Sequence, residues 1–235
     1  GRLRFVGRGR RPDAGGIVDV PAPGGRRLRV APLPFVHANR QVDWFGDPER
    51  FMGVYADRMR KMANLRHEGV VGGFDAGADV LVFAAHAVVG GAVKSGTERA
   101  VHVTDDYAIE RTNLPGVSYV ALGHIHMPQQ LPGTPVAHYA GSVVPMDFGE
   151  AGERKSVVVV DADPGRPADA EVVHLDAGRA LVELRGGLDE LARRAPAVGD
   201  AIVRVTVESA EPVPDLGARV RDLLPRAEIV EVIEV

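Results

Sequence analysis

Residues 79–85, Asp-Val-Leu-Val-Phe-Ala-Ala, make a continuous apolar run of strand length. A strand with apolar side chains on both faces needs cover on both. That is the position of a central strand in the parallel sheet of a layered α/β protein. The run ends at His86. A second run, residues 117–122, ends at Gly123-His124-Ile125-His126, and a third candidate, Val136 to Ala140, ends at Gly141-Ser142. In open layered folds chemistry gathers where several strands finish on one sheet edge. Three strand ends bearing His, Gly-His-x-His and Gly-Ser therefore mark the predicted site.

The remaining elements fit around these runs. Residues 28–36 read as a short buried strand interrupted by Pro32 and Pro34. Asp47-Pro48-Glu49 reads as a helix start, with an Asp N-cap, proline in the first helical position and an acid in the first turn. Phe51, Val54, Tyr55, Met59, Met62 and Leu65 keep helical spacing and predict one apolar face, with Gly72-Gly73 as the break after it. Residues 155–161 and 171–175 are further strand candidates. From about residue 178 the pattern becomes strand (Ala180–Leu184), helix (Leu188–Ala195), strand (Ala201–Val207), helix (Leu216–Leu224) and strand (Glu228–Val235). We expect one domain over 1–178 and a small α+β domain over 179–235, whose sheet has one exposed face.

Composition narrows the function classes. The chain has no cysteine, which excludes disulfides, thiolate zinc sites and cysteine nucleophiles and fits a reducing cytoplasm, the expected setting. No apolar run approaches the roughly 18 residues of a membrane span, so no membrane partner is expected. The net charge of −4 argues mildly against nucleic acid, yet a local basic face or a bound divalent cation can hold phosphate on an acidic protein. Arg2, Arg4, Arg8, Arg10 and Arg11 form the one local basic excess, read as a solvated terminus or strand edge. The chain opens on Gly1 rather than Met, and we expect it to be part of a longer polypeptide.

His124 and His126 can face one point just beyond the sheet edge, because residues two apart in extended chain point the same way. Gly123 lets the backbone turn there. Neutral imidazole suits Mn, Fe or Zn, and it is the usual ligand where a metal activates water. His86, ending a neighbouring apolar strand, is the candidate third ligand. His37, His67, His102, His138 and His174 receive no role, and His67 is expected to be exposed near a helix end. Hard, water-activating metals also need carboxylate or amide oxygens, but Asp-x-His, Gly-Asp-x-x-Asp and Gly-Asn-His are all absent. The predicted site is part of a metal centre. No G-x-S-x-G elbow or G-x-x-x-x-G-K-[ST] loop offers a competing chemistry.

Several stretches resemble the calcineurin-like metallophosphoesterases and, more narrowly, their SbcD-type nuclease subunits. They are Ala31-Pro32-Leu33-Pro34-Phe35; Ala85-His86 with Gly90-Gly91 and Ser95-Gly96-Thr97-Glu98-Arg99; Tyr119 to His126 with Pro128-Gln129; Gly141-Ser142 with Met146-Asp147-Phe148-Gly149-Glu150; and Leu184-Arg185-Gly186 in the small domain. The resemblance implies an α/β fold: a layered αββα metallophosphoesterase core, here its C-terminal part, followed by a small α+β capping domain. It implies two divalent metals, most often Mn²⁺, with His86, His124 and His126 as three of their ligands. It implies 3′–5′ exonuclease action on double-stranded DNA and endonuclease action on single strands, in DNA repair, recombination and replication. It further implies an SbcC-type ATPase partner and a homodimer within a heterotetramer. The family's other metal ligands and its catalytic histidine lie in three earlier motifs that this sequence lacks, so these residues are expected to be inactive alone. The alternatives are another calcineurin-like phosphodiesterase, or a non-catalytic module that binds DNA or an ATPase.

Overall fold

The computed structural model describes residues 5–7, 10–35, 55–94, 108–133 and 135–235. It divides into two compact units, Gly1–Gly141 with Ser156–Val173, and Ser142–Lys155 with His174–Val235. The second unit thus takes in residues 142–155 as well as the expected C-terminal domain.

The first unit is built on a six-stranded sheet. Its strands are β1 (Val18–Pro21), β2 (Arg27–Leu33), β3 (Asp79–His86), β6 (Tyr119–Gly123), β7 (Gln129–Leu131) and β8 (Ala137–Tyr139), in the order β1-β2-β3-β6-β8-β7. The four inner strands run parallel, and β1 and β7 close the edges antiparallel. β3 sits inside, as its two-sided apolar run predicts. On one face Leu81, Phe83 and Ala85 join Ala31, Leu33, Val120, Leu122 and Tyr139 in the core. Full burial of a side chain such as Phe83 contributes roughly 2–3 kcal/mol. Edge strand β1 carries Asp19 and Pro21, which discourage further pairing. Two short strands, β4 (Val88–Val89) and β5 (Ala108–Ile109), pair separately, as do β9 (Ser156–Asp161) and β10 (Asp169–His174).

Helix α1 (Tyr55–Val71) contributes Met59, Met62, Ala63 and Val70 to the same core. The Asp47-Pro48-Glu49 start, Phe51, Val54 and the side chain of Tyr55 lie outside the described residues. Leu65 corrects the expected stripe, being 39% exposed, and Arg66 is buried instead. At 100° per residue Arg66 returns almost to the azimuth of Met59, whereas Leu65 has drifted round the helix. The Arg66 guanidinium is accommodated by donating to the carbonyl of Gly16 at 2.8 Å. His67 is half-buried rather than exposed.

An ion-pair group closes the N-terminal end of β3. Arg27 donates to both oxygens of Asp79, from Nε at 2.8 Å and from Nη2 at 2.6 Å, and the Asp75 amide adds a third bond at 2.9 Å. The Arg27 bonds are the main reason the Asp79 carboxyl is held down at about 2.

The second unit has a parallel three-stranded sheet of β11 (Leu181–Gly186), β12 (Ile202–Val207) and β13 (Glu228–Glu234), in that order. The crossovers are α2 (Leu188–Val198) and α3 (Leu216–Leu223). Parallel neighbours require such crossovers, and the sequence places a helix between each pair. Val203, Val205 and Val207 pack with Leu184, Leu191, Val220 and Leu224. Alternate residues carry charge: Arg204 bridges Glu183 at 3.0 Å and Glu231 at 2.8 Å, and Arg185 bonds Glu208 at 2.7 Å. Phe148 lies against Arg204, whose guanidinium carbon is 4.4 Å from the ring centroid.

Residues 142–155 bring a buried charge cluster to this unit. Glu150 accepts, at one oxygen, from Lys155 Nζ at 2.6 Å, Ser142 Oγ at 3.0 Å and the Met146 amide at 3.2 Å. Lys155 also donates to Glu153 at 2.8 Å. The Glu150 and Lys155 side chains are 0% and 3% exposed.

Candidate metal-ligand cluster

The strand ends that carry the predicted residues are neighbours. β3 and β6 run parallel with His86 opposite Gly123, and β6 pairs with β8 so that Leu122 stands opposite Tyr139. All three therefore finish at one sheet edge. The rings of His86 and His124 meet edge to face, with centroids 5.1 Å apart. Ile125, between the two histidines of the second motif, is buried in the core at 1% exposure. His124 and His126 stay at the surface side of it, half-buried.

Two backbone features shape this cluster. His124 adopts a φ of 103°, a region that side-chain-bearing residues seldom visit and that tends to mark functional sites. Gly123 makes room for the neighbouring ring, since a Cβ there would lie 3.2 Å from Nδ1 of His86. Gly141, just after β8 at φ 81°, backs onto the other motif. A Cβ at Gly141 would fall 2.6 Å from the His126 carbonyl oxygen. The third strand end thus abuts the histidine motif through its glycine.

His86 is exposed at its strand end, but the surrounding rings partly strip its water. That desolvation, and second the positive charge of His126 nearby, hold its imidazole below the usual histidine range. A neutral imidazole keeps the lone pair a metal requires.

Two side chains that sequence reasoning passed over support the cluster. The buried Tyr139 hydroxyl donates to the Ala87 carbonyl at 2.7 Å and accepts from the Val89 amide at 2.9 Å, tying β8 to the segment just after His86. A tyrosine inside an apolar strand signals such a partner, because a buried hydroxyl seeks a hydrogen bond. Phe35 stacks on His124 with centroids 5.5 Å apart and an interplanar angle of 7°. It meets His86 edge-on at 5.7 Å.

Imidazole nitrogens suit a first-row divalent cation. Among the described residues, however, no group of three or more His, Asp or Glu side chains is arranged to hold an ion. The histidines fit part of a donor set. Ser95 to Arg99, and also His37 and His102, lie outside the described residues. His138 stands apart from the histidine cluster: it is buried in β8, stacks on Tyr119 with centroids 5.9 Å apart and lines an apolar cavity of about 660 Å³ with Val80, Val82 and Val158. No described helix is long and apolar enough to cross a membrane.

No family model matches the chain. Among curated proteins it is similar to the D subunit of nuclease SbcCD from Bacillus subtilis, 39% identical over 116 residues, covering 48% of this chain and 30% of that protein. It is similar to the protein of the same name from Escherichia coli K12, 31% identical over 108 residues, covering 46% of this chain and 27% of that protein. The match to the Rhodobacter capsulatus protein of that name is 31% identical over 181 residues, covering 71% of this chain and 43% of that protein. The chain thus spans less than half the length of these relatives. Over the part of their length that it covers, the chain is similar to SbcD-type nuclease subunits.

Proposed function

We propose that these residues are the later part of a nuclease subunit that hydrolyses DNA phosphodiesters with two divalent metals, Mn²⁺ first among candidates. In this reading His86, His124 and His126 supply imidazole ligands, and the remaining ligands and the proton donor come from sequence outside this chain. The αββα layering, the capping role of the C-terminal domain, the cytoplasmic setting, double-strand exonuclease and single-strand endonuclease action, and assembly with an SbcC-type ATPase as a dimer of heterodimers belong to the same proposal. The observation that carries it is the meeting of His86 and His124 at the ends of adjoining parallel strands. The similarity to the SbcCD nuclease proteins supplies the substrate class.

Divalent cations held in part by His86, His124 and His126 would supply activation of water and charge stabilisation at a phosphodiester. The chain's own part is to present ring nitrogens. Strand pairing fixes His86 opposite Gly123, the left-handed backbone at His124 aims its ring, and Tyr139 holds the segment after His86. Because the described donors form a partial set, the 235-residue chain with Mn²⁺ should cleave little or no DNA. The full-length protein should cleave double-stranded DNA in preference to a small chromogenic diester. Robust cleavage by the chain alone would overturn the partial-site reading. A full-length protein that prefers the small diester would favour a different calcineurin-like phosphodiesterase.

A further inference from the structure

Phe35 has no chemistry of its own to offer a metal, yet it touches both histidines that the strand ends bring together. Its ring lies parallel to His124, at 7°, and nearly perpendicular to His86, at 81°. The two imidazoles are themselves nearly perpendicular, at 82°. The three rings form one corner, with centroid separations of 5.5, 5.7 and 5.1 Å, all within the range of favourable aromatic pairs. Phe35 is still 37% exposed, so the core alone does not account for an aromatic residue there.

We propose that Phe35 is a positioning residue that fixes the ring planes of His86 and His124 so that their nitrogens converge. The proposal rests on the reading of these histidines as metal ligands. An imidazole on a strand end can rotate about its outer torsion, which is broad for histidine. A flat face stacked on His124 and an edge against His86 remove that freedom together. Gly123 acts with it, since any side chain there would crowd Nδ1 of His86, 3.2 Å from the added carbon. Groups that orient metal-bound histidines usually act by accepting a ring N–H, and their loss costs about 10–100-fold in metal affinity. Here stacking would take that role.

The test uses the full-length protein with Phe35→Leu and Phe35→Tyr, read by Mn²⁺ titration and by NMR of histidine-labelled, metal-free protein. In the wild type the ring protons of His124 should be displaced upfield by the stacked face. Phe35→Leu should abolish that displacement and weaken Mn²⁺ binding about 10-fold or more. Phe35→Tyr, which keeps the flat ring, should restore both. Unchanged Mn²⁺ affinity in a folded Phe35→Leu protein would overturn the proposal, as would the absence of a ring-current displacement in the wild type. His124→Ala separates the two readings. If it too leaves Mn²⁺ affinity unchanged, the ligand assignment itself fails, whatever the NMR shows.

Discussion

His124→Ala in the full-length protein should abolish Mn²⁺-dependent DNA cleavage, with a loss of at least about 100-fold, beyond what losing an outer orienting group costs. The substitution removes one of the two imidazoles in ring contact at the sheet edge. It also removes the surface on which Phe35 stacks. Its effect on folding should be small, because His124 is only half-buried, and alanine takes over the same positive-φ backbone at 103° that histidine holds. Thermal unfolding close to that of the wild type, together with lost cleavage, is the expected pattern. Full activity would remove His124 from the ligand set.

Lys155→Met should destabilise the second unit by about 3–5 kcal/mol, the usual cost of stripping the partner from a buried charge. Glu150 is fully enclosed and takes a 2.6 Å bond from Lys155. Ser142 and the Met146 amide would still donate to it, but neither carries a positive charge. Adding Glu150→Gln should recover part of the loss, since the buried carboxylate that lost its ammonium partner becomes a neutral amide. The pH dependence follows from Lys155. Burial opposes its charge, but the bonds to Glu150 and Glu153 outweigh that and raise its pKa above 10.5. A raised folded-state value means the stabilisation is complete below 10.5 and is lost as pH climbs through the folded value. The gap between wild type and Lys155→Met should therefore be full at neutral pH and narrow in strong alkali. Urea unfolding followed by circular dichroism measures both. A neutral-pH difference below about 1 kcal/mol would show that the pair behaves like a surface ion pair.

Much of the fold could be read from periodicity. β3, β6 and β12 carry their signal in adjacent residues, so local pattern and final burial agree. The crossover units of the C-terminal sheet were legible for the same reason. What escaped was short or polar. β1, Val-Asp-Val-Pro, is an exposed edge with a proline, and β7, Gln-Gln-Leu, has two amides out of three residues. Their pairing comes from neighbours far along the chain. Arg66 shows the limit of hydrophobicity as a guide to burial: its place on the helix put it inside, and a carbonyl from Gly16 made that tolerable.

The site divides in the same way. Spacing and strand ends singled out His86, His124 and His126, and register brought the first two together. The close fit of Gly123, the backbone of His124 and the stacking of Phe35 arise from contacts between distant segments or from local torsions. Neither has a compositional mark. The buried Glu150–Lys155 pair was equally hidden, because nothing in Met146-Asp147-Phe148-Gly149-Glu150, legible only as a stretch resembling the family, marks a carboxylate that Lys155 will enclose.

The central claim, that these histidines are metal ligands, is tested most directly by diffraction from crystals of the full-length protein grown with Mn²⁺, recorded at the manganese absorption edge. Anomalous density bounded by ring nitrogens of His86, His124 and His126 is the expected result. Manganese density elsewhere, with these three rings uncoordinated, would contradict it.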